Sequence, residues 1–273
     1  MLDNNNILSS KERCKIFRNK ILDISQTVDA LHVGGAFSCI EILDYIYSSF
    51  IIPTLEQKNK NAFILSKGHG GIAQYVILNY YKIIPDQYLD SYCKTGGILG
   101  CHPDYGTPGI EASTGSLGHG MGIATGISLA NKINNINSKT FLVISDGELQ
   151  EGSTWESMMM ASNLNLKNLI CFVDHNGSQS FGYTKVTHPK FYPIKEKILS
   201  FNWNCLETDG HDLNEIDSKT KELLNKNNNN PSMIICNTVK GKGLSIAENN
   251  VSWHYRPLDP NEYKIAKKDL NEK

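Results

Sequence analysis

Three continuous apolar runs constrain the fold of this chain more than any other feature. They are Phe141-Leu142-Val143-Ile144, Leu169-Ile170-Cys171-Phe172-Val173 and Met233-Ile234-Ile235-Cys236. Helical patterns separate them, and such runs are typical of parallel strands that helices cover on both faces. A further short run, Ala62 to Ser66, precedes a glycine turn and a helical stretch from Ile72 to about Tyr81. The sequence therefore predicts an α/β fold with a doubly wound, mostly parallel sheet flanked by helices.

Residues 1–273 are predicted to form a single domain. The length allows a large α/β domain with a substantial core, and no internal repeat is visible. From about residue 244 the periodic patterns stop until the last charged residues. We therefore expect an irregular C-terminal tail from about 244.

Charge and cysteine content argue against several classes of protein. A formal net charge of −1 and a pI near 6.7 give no reason to expect a nucleic acid or an anionic membrane as partner. Nowhere do about eighteen apolar residues run together, so a membrane span is not expected. The seven cysteines contain no CxxC pair, which argues against a zinc site and a disulfide framework. We expect a cytoplasmic protein.

Polar residues at the ends of two predicted strands indicate a metal and phosphate site. The first two apolar runs end near Asp146 and Asp174, and open parallel sheets bind ligands at the carboxyl ends of their strands. Asp146 offers a carboxylate and Asn176 an amide oxygen, which are ligands for a hard cation such as Mg²⁺ or Ca²⁺. Gly147 leaves room for a phosphate oxygen beside the backbone. The stretch is interpreted as a diphosphate anchor.

Capping patterns predict where several helices begin. Ser9-Ser10 can cap a first helix, Ser38-Cys39-Ile40-Glu41 is a capping-box pattern, and Ser153-Thr154-Trp155-Glu156 can cap a third. Asp212 is a further candidate cap. The stretch Gly118–Ala130 indicates a helix that packs closely on another backbone, because glycine is a poor helix former and is frequent there.

The stretch that begins at the predicted anchor resembles a known family. Residues 146–156, Asp-Gly-Glu-Leu-Gln-Glu-Gly-Ser-Thr-Trp-Glu, resemble transketolase, and Asn176 takes the place of the downstream asparagine in the thiamine-diphosphate motif. The motifs that support the resemblance, in the family's order, are Leu65-Ser66-Lys67-Gly68-His69, Gly100-Cys101-His102-Pro103-Asp104, Ser113-Thr114-Gly115-Ser116-Leu117-Gly118-His119-Gly120 and Thr238-Val239-Lys240-Gly241-Lys242-Gly243. Ser145 and Tyr255 depart from the pattern, since the family usually has glycine there. The length matches only the amino-terminal, diphosphate-binding domain, as in bacterial enzymes split into two polypeptides.

The resemblance implies a site for thiamine diphosphate with Mg²⁺ or Ca²⁺. Asp146 and Asn176 would hold the metal, with a backbone carbonyl near Ser178 as a further ligand. The cofactor-binding residues that the resemblance implies are His69, Gly115, Ser116, Leu117, Asp146, Gly147, Glu148, Glu151, Asn176 and His254. Among them Gly147 would approach the diphosphate, and residues 115–117 would contact the aminopyrimidine end.

The resemblance also implies a catalytic set, which consists of His32, His69, His102, His254 and Glu151. The histidines would line a substrate channel, where imidazole can donate to a sugar hydroxyl or exchange a proton with it. Glu151 would lie at an interface with another chain and share a proton with the partner's catalytic glutamate, since two close carboxylates raise the pKa of one of them.

The implied activity is the transfer of a two-carbon ketol (glycolaldehyde) unit from a ketose to an aldose. A second subunit with the pyrimidine-binding and C-terminal domains would be needed, and a heterotetramer of two plus two chains is expected. The substrates would be sugars or sugar phosphates. The arginines are Arg13, Arg18 and Arg256, and the first two are expected on a surface helix, so a substrate phosphate is expected to meet the partner.

Two alternatives remain open for the function. One is another thiamine-dependent carboligase that acts on an unusual sugar. The other is a non-catalytic subunit that docks the cofactor or regulates its partner.

Overall fold

A five-stranded parallel sheet forms the centre of the protein. The computed structural model describes residues 8–29, 31–180 and 182–272. The strands of this sheet are β1 (Ala62–Leu65), β2 (Thr140–Ser145), β3 (Leu169–His175), β6 (Asn204–Asp209) and β7 (Ser232–Asn237), and a separate small hairpin contains β4 (Ser178–Gln179) and β5 (Gly182–Tyr183). The order in the sheet is β1-β2-β3-β7-β6, and every neighbouring pair is parallel. The predicted parallel sheet is confirmed.

Helices flank the sheet along the whole chain. Their ranges are α1 (Ser10–Ser25), α2 (Val33–Ser38), α3 (Ile40–Ile46), α4 (Gly71–Tyr80), α5 (Asp86–Asp90), α6 (Gly120–Ile133), α7 (Gly152–Asn163), α8 (Thr184–Thr187), α9 (Ile194–Ser200), α10 (Leu213–Leu224) and α11 (Pro260–Glu272). Short helical turns cover Tyr47–Ile51, Ile52–Thr54, Gly68–Gly70, Gly147–Gln150, Pro189–Phe191 and Val251–Trp253. Across the described ranges, no helix has the length and apolar character that a membrane span requires.

The central strands contribute to two separate apolar cores. In β2, Phe141 and Val143 pack with residues of α1, α3 and α4, whereas Leu142 and Ile144 pack on the opposite face with α6, α7 and α9. Side chains alternate between the faces of a strand, so a run that is buried on both faces must be apolar throughout. The continuous apolar runs are explained by this two-sided burial.

The capping predictions are confirmed at two helices and wrong at two others. Ser9 and Glu12 form a capping box at α1, and Asp212 accepts hydrogen bonds from two backbone amides at α10. Ser38 belongs to the end of α2 instead of capping α3. Its hydroxyl donates to Asp174 and lies 3.1 Å from the Gly35 carbonyl oxygen. Ser153 lies inside α7 and donates to the Gly118 carbonyl. The hydroxyls of Ser38 and Ser153 bind distant partners and therefore do not cap their helices.

Two buried ion pairs join α1 to α3. Arg13 binds Asp44 through both oxygens at 2.7 and 2.8 Å, and Arg18 binds Glu41 in the same bidentate manner at 2.5 and 2.8 Å. Both arginines are only 7% exposed. The prediction that they lie on a surface helix is therefore wrong, because α1 packs between α3, α4 and α11.

The predicted irregular tail is also corrected. The segment from 244 contains α11 (Pro260–Glu272), which buries Ala266 and Leu270 against the first core. Asp259 accepts hydrogen bonds from the amides of Asn261 and Glu262, and Pro260 stands at the first helical position. An aspartate cap followed by proline is a helix start signal, which the many charged residues around it obscured.

Candidate functional site

A cavity of about 450 Å³ opens at the carboxyl ends of β2 and β3. Asp146 directly follows β2, and Asn176 directly follows β3. Most of the predicted site residues line the cavity, namely His32, His69, His102, Gly115, Leu117, Gly147, Glu151, Asn176, Ser178 and His254. The strand ends thus bring together residues from most of the chain, as expected for an open parallel sheet.

Four histidines form one cluster on the wall of the cavity. His32 is central, with its ring centroid 5.4 Å from those of His69 and His254 and 6.2 Å from that of His102. The residues come from different elements: His32 precedes α2, His69 lies in the turn after β1, and His102 and His254 lie in loops. Tyr255 stacks on His32 with a centroid distance of 4.4 Å.

The surroundings of three of these histidines, His32, His69 and His254, favour neutral imidazoles. Burial, and then His254 and His102, lower the pKa of His32 to about 3. Burial, followed by the charge of Lys240, lowers the pKa of His254 to about 4, and burial together with Lys67 lowers the pKa of His69 well below its usual range. A neutral imidazole has one donor and one acceptor nitrogen. The cluster can therefore both donate to and accept from the hydroxyls of a ligand near neutral pH.

We expect the imidazoles of His32 and His254 to stay neutral between about pH 8 and pH 5, where an unperturbed histidine with a pKa near 6.5 would titrate. Below about pH 6.5 these two histidines are protonated in the unfolded chain but not in the folded chain. The free energy of unfolding should therefore decrease as the pH falls below about 6.5. Nitrogen-15 chemical shifts of the histidine rings, followed across this range, measure the effect. A sample unfolded in urea is the control, and titration of both rings near pH 6.5 in the folded protein would contradict the assignment.

The three predicted metal ligands lie around one short loop. The Asp146 carboxylate accepts a hydrogen bond from the Gly177 amide at 2.9 Å, and the Asn176 side-chain oxygen accepts one from the Ser178 amide at 3.0 Å. Asp146 is 1% exposed, and within the described ranges its nearest basic side chain is His175, at 3.9 Å. Burial raises the pKa of Asp146 to about 6. A carboxylate in this position suits a bound cation, and its oxygen donors suit Mg²⁺ or Ca²⁺.

Within the described part of the chain, no side-chain cluster of the type that binds transition metals is present. Over residues 8–29, 31–180 and 182–272, no three or more His, Cys, Asp or Glu side chains lie close enough to hold a metal ion. The predicted set contains one carboxylate, one amide oxygen and one backbone carbonyl, so a hard cation here would need further oxygens from a ligand. A diphosphate is a ligand of that kind.

The turn after β2 keeps space open for such a ligand. A Cβ added at Gly147 would meet the Gln179 side chain no closer than 3.5 Å, which is an ordinary contact. Packing within the chain therefore does not require glycine, whereas an anion in the cavity would be displaced by a side chain. Ser145, where the family usually has glycine, accepts a hydrogen bond from the Glu148 amide and so supports the same turn.

The loop before α6 reaches the cavity because two glycine backbones touch. A Cβ at Gly68 would lie 2.6 Å from the Gly115 nitrogen, and one at Gly115 would lie 2.7 Å from the ring of His102. Gly115 also has φ of +132°, which glycine adopts readily. The contact carries Gly115 and Leu117 to the wall of the cavity, while Ser116 does not line it.

Glu148 and Glu151 have different positions from each other. Glu148 is fully buried and accepts hydrogen bonds from the Ser66 hydroxyl and the Gly118 amide. The family resemblance implied that Glu148 binds the cofactor, but its side chain does not line the cavity. Burial raises the pKa of Glu148 to about 6. Glu151 is exposed, lines the cavity and packs against Gly118.

Sequence reasoning missed two lysines at the site. Lys240 is 2% exposed, lines the cavity and donates to His254 Nδ1 at 3.0 Å. Burial, and then the charge of Lys67, lower its pKa to about 8. Lys67 lies beneath the cavity in an ion pair with Asp174. Both lysines lie in motifs that support the family resemblance, but the sequence of a motif does not show which of its lysines is buried. His188 also lines the cavity, without a predicted role.

Comparisons with known proteins show to which family this chain is similar. A family model described as "Transketolase, thiamine diphosphate binding domain" matches residues 9–272. The 6-deoxy-6-sulfo-D-fructose transketolase subunit SqwG of Clostridium sp. strain MSTE9 is 34% identical over 266 residues, which cover 95% of each protein. One chain of the apulose-4-phosphate transketolase of Phocaeicola vulgatus, also named as a subunit, is 31% identical over 94% of this chain and 92% of its own length.

A solved structure supports the same fold. Transketolase from Leishmania mexicana superposes with a TM-score of 0.89 at 22% identity, covering 97% of this chain. The match covers 42% of the length of that transketolase chain. From the family match over residues 9–272, the chain belongs to the transketolase family and comprises its thiamine-diphosphate-binding domain.

Proposed function

We propose that this chain is the cofactor-docking subunit of a two-chain transketolase-type enzyme, which transfers a two-carbon ketol unit from a ketose to an aldose. The observation that carries the proposal is the cavity itself. It joins the strand-end loop that contains Asn176 to a cluster of four histidines, three of which have strongly lowered pKa values. One site would thus combine an anchor for a metal diphosphate with a wall that can bind hydroxyls.

Asp146, Asn176 and the Ser178 carbonyl would hold Mg²⁺, which would in turn bind the diphosphate beside Gly147. Lys240 would add a positive charge for the same anion, since at a pKa of about 8 it is mostly protonated at neutral pH. Thiamine diphosphate, when bound, supplies the nucleophilic carbon that ketol transfer requires. The protein supplies the position and the charge balance.

The histidines would orient the sugar and move its protons. As neutral imidazoles, His32, His69 and His254 can accept a hydroxyl proton or donate a hydrogen bond to an oxygen. Their closeness, within 5.5 Å between ring centroids, allows them to contact neighbouring hydroxyls of one sugar chain. His102, on the other side of His32, would extend this surface.

The remainder of the enzyme would be on another polypeptide. The two relatives described above are of nearly equal length and carry "subunit" in their names, whereas the solved transketolase chain is more than twice as long as the matched region. Glu151 is exposed and lines the cavity. In the complex it would meet a carboxyl group of the partner and share a proton with it. We expect a complex of two such chains with two partners.

The substrates would be sugars with an anionic group. The two relatives are named for a sulfonated and a phosphorylated sugar. The arginines, which are the usual clamps for such groups, do not occur among the described residues around the cavity. The anionic end of the sugar would therefore contact the partner chain.

The decisive experiment is to assay this chain alone and together with a partner chain that carries the pyrimidine-binding and C-terminal domains. Ketose-to-aldose transfer, measured with thiamine diphosphate and Mg²⁺, should require both chains. Full turnover by the purified single chain would contradict the need for a partner. A complex that binds the cofactor but transfers no ketol from any of a panel of ketoses would favour the non-catalytic alternative.

A further inference from the structure

An ion pair lies fully buried beneath the cavity. The side chains of Lys67 and Asp174 are both 0% exposed and in direct contact. The Lys67 ammonium also donates to the Gly35 carbonyl at 2.7 Å. A buried carboxylate and ammonium are costly to remove from water, so such a pair is weak evidence of stabilisation by itself. The hydrogen bonds that this ion pair makes with residues of the site indicate a role other than stabilising the fold.

Asp174 accepts hydrogen bonds from three further side chains. Ser38 donates at 2.5 Å, Thr238 donates to the other carboxylate oxygen, and the Asn176 amide nitrogen donates at 3.2 Å. The same Asn176 nitrogen lies 3.3 Å from the Ser38 hydroxyl oxygen. Groups from α2, the turn after β1 and the segment after β7 thus hold the Asp174 carboxylate in place. This carboxylate contacts the side-chain amide of Asn176.

This arrangement decides which way the Asn176 amide points. With its nitrogen bound to Asp174, its oxygen faces the other way, where it accepts from the Ser178 amide. The reversed amide would place an oxygen against the Asp174 carboxylate and an N–H against the N–H of Ser178. Both contacts would be repulsive.

We propose that Lys67 and Asp174 are positioning residues, which fix the Asn176 amide with its oxygen directed toward the metal site. The proposal rests on the function proposed above. Lys67 compensates the buried charge and anchors it through Gly35. Asp174 then orients Asn176 without touching the metal or the diphosphate. Groups behind metal ligands commonly act in this way, and their loss weakens metal binding about ten- to hundredfold.

The test uses the full chain with Mn²⁺ in place of Mg²⁺ and inorganic diphosphate in place of the cofactor. Because diphosphate binds Mn²⁺ even without protein, the ligand titrated is the preformed Mn²⁺–diphosphate complex, and isothermal titration calorimetry gives its dissociation constant. We expect Lys67→Met to weaken Mn²⁺ binding about ten- to hundredfold. The matched control is Arg13→Met, which breaks another buried ion pair, to Asp44, outside the cavity. It should destabilise the fold similarly but leave the Mn²⁺ affinity within about twofold, since it disturbs no group behind a metal ligand.

A second variant covers the case in which Lys67→Met does not fold. The double variant Lys67→Met/Asp174→Asn removes both charges together, so it should melt at a higher temperature than Lys67→Met and still bind Mn²⁺ at least about tenfold more weakly than the wild type. Wild-type affinity in either folded variant would overturn the positioning role. If the wild-type chain itself binds no Mn²⁺ with diphosphate, the docking site of the proposed function is wrong instead.

Discussion

Asp146→Ala is expected to weaken the binding of Mg²⁺ with thiamine diphosphate by at least about a hundredfold and to abolish ketol transfer by the complex. The loss of a direct ligand should exceed the ten- to hundredfold cost of disturbing a group behind one. Asp146 also holds the loop that contains the other two proposed ligands, because it accepts a hydrogen bond from the Gly177 amide at 2.9 Å. Isothermal titration calorimetry with the cofactor and Mg²⁺ measures the affinity.

The chain offers a matched control for this change. Asp212 also accepts hydrogen bonds from two backbone amides, those of Asn214 and Glu215, but it caps α10 away from the cavity. Asp212→Ala should cost about 1 kcal/mol of stability as a lost helix cap and leave cofactor binding unchanged. Equal affinities in Asp146→Ala and in Asp212→Ala would show that Asp146 is not a ligand.

Arg18→Met is expected to lower the free energy of unfolding by about 3–5 kcal/mol, because it leaves the buried carboxylate of Glu41 without its arginine. In the wild type, Glu41 binds Arg18 at 2.5 and 2.8 Å and His211 at 2.9 Å. Urea denaturation near pH 7 measures the change. Lys221→Met, which removes an exposed ion pair with Asp217, is the control and should cost less than about 1 kcal/mol.

The pH dependence of the same variant provides a second check. Burial alone would raise the pKa of Glu41, but Arg18 and His211 together lower it from 4.5 to about 2. A lowered carboxyl pKa contributes stability above about pH 4.5 that is lost as the pH falls toward 2. The difference in stability between wild type and Arg18→Met should therefore shrink over this window. A difference that is constant with pH would mean that Arg18 acts through packing alone.

Periodicity and burial explain which elements the sequence could predict. Strands β2, β3 and β7 are buried on both faces, so each contains a continuous apolar run of four or five residues that predicts a strand directly. Strand β6 lies at the edge of the sheet and reads Asn-Cys-Leu-Glu-Thr-Asp, which carries no such signal. The two wrong caps, at Ser38 and Ser153, have local patterns that suit a cap, but distant partners bind their hydroxyls.

In the site, too, some residues could be predicted from the sequence and others could not. Asp146 and Asn176 could be placed because parallel strands end at one edge of the sheet, and the histidines followed from the motifs around them. The buried ion pairs could not be predicted, since Arg18 and Lys67 have the same local sequence features as surface residues. Their burial results from contacts with residues 23 and 107 positions away, Glu41 and Asp174. Only the folded chain brings these charges together.

The close approach of Gly68 to Gly115 has a consequence for protein engineering. The turn that carries His69 and the loop that carries Leu117 share a backbone contact that leaves no room for a Cβ on Gly68. A library that varies residues 113–118 to change cofactor or substrate preference must keep the shape of the turn at 68–70. We expect productive variants to arise when both segments are exchanged together from one relative, and grafts of one segment alone to lose the close contact between Gly68 and Gly115.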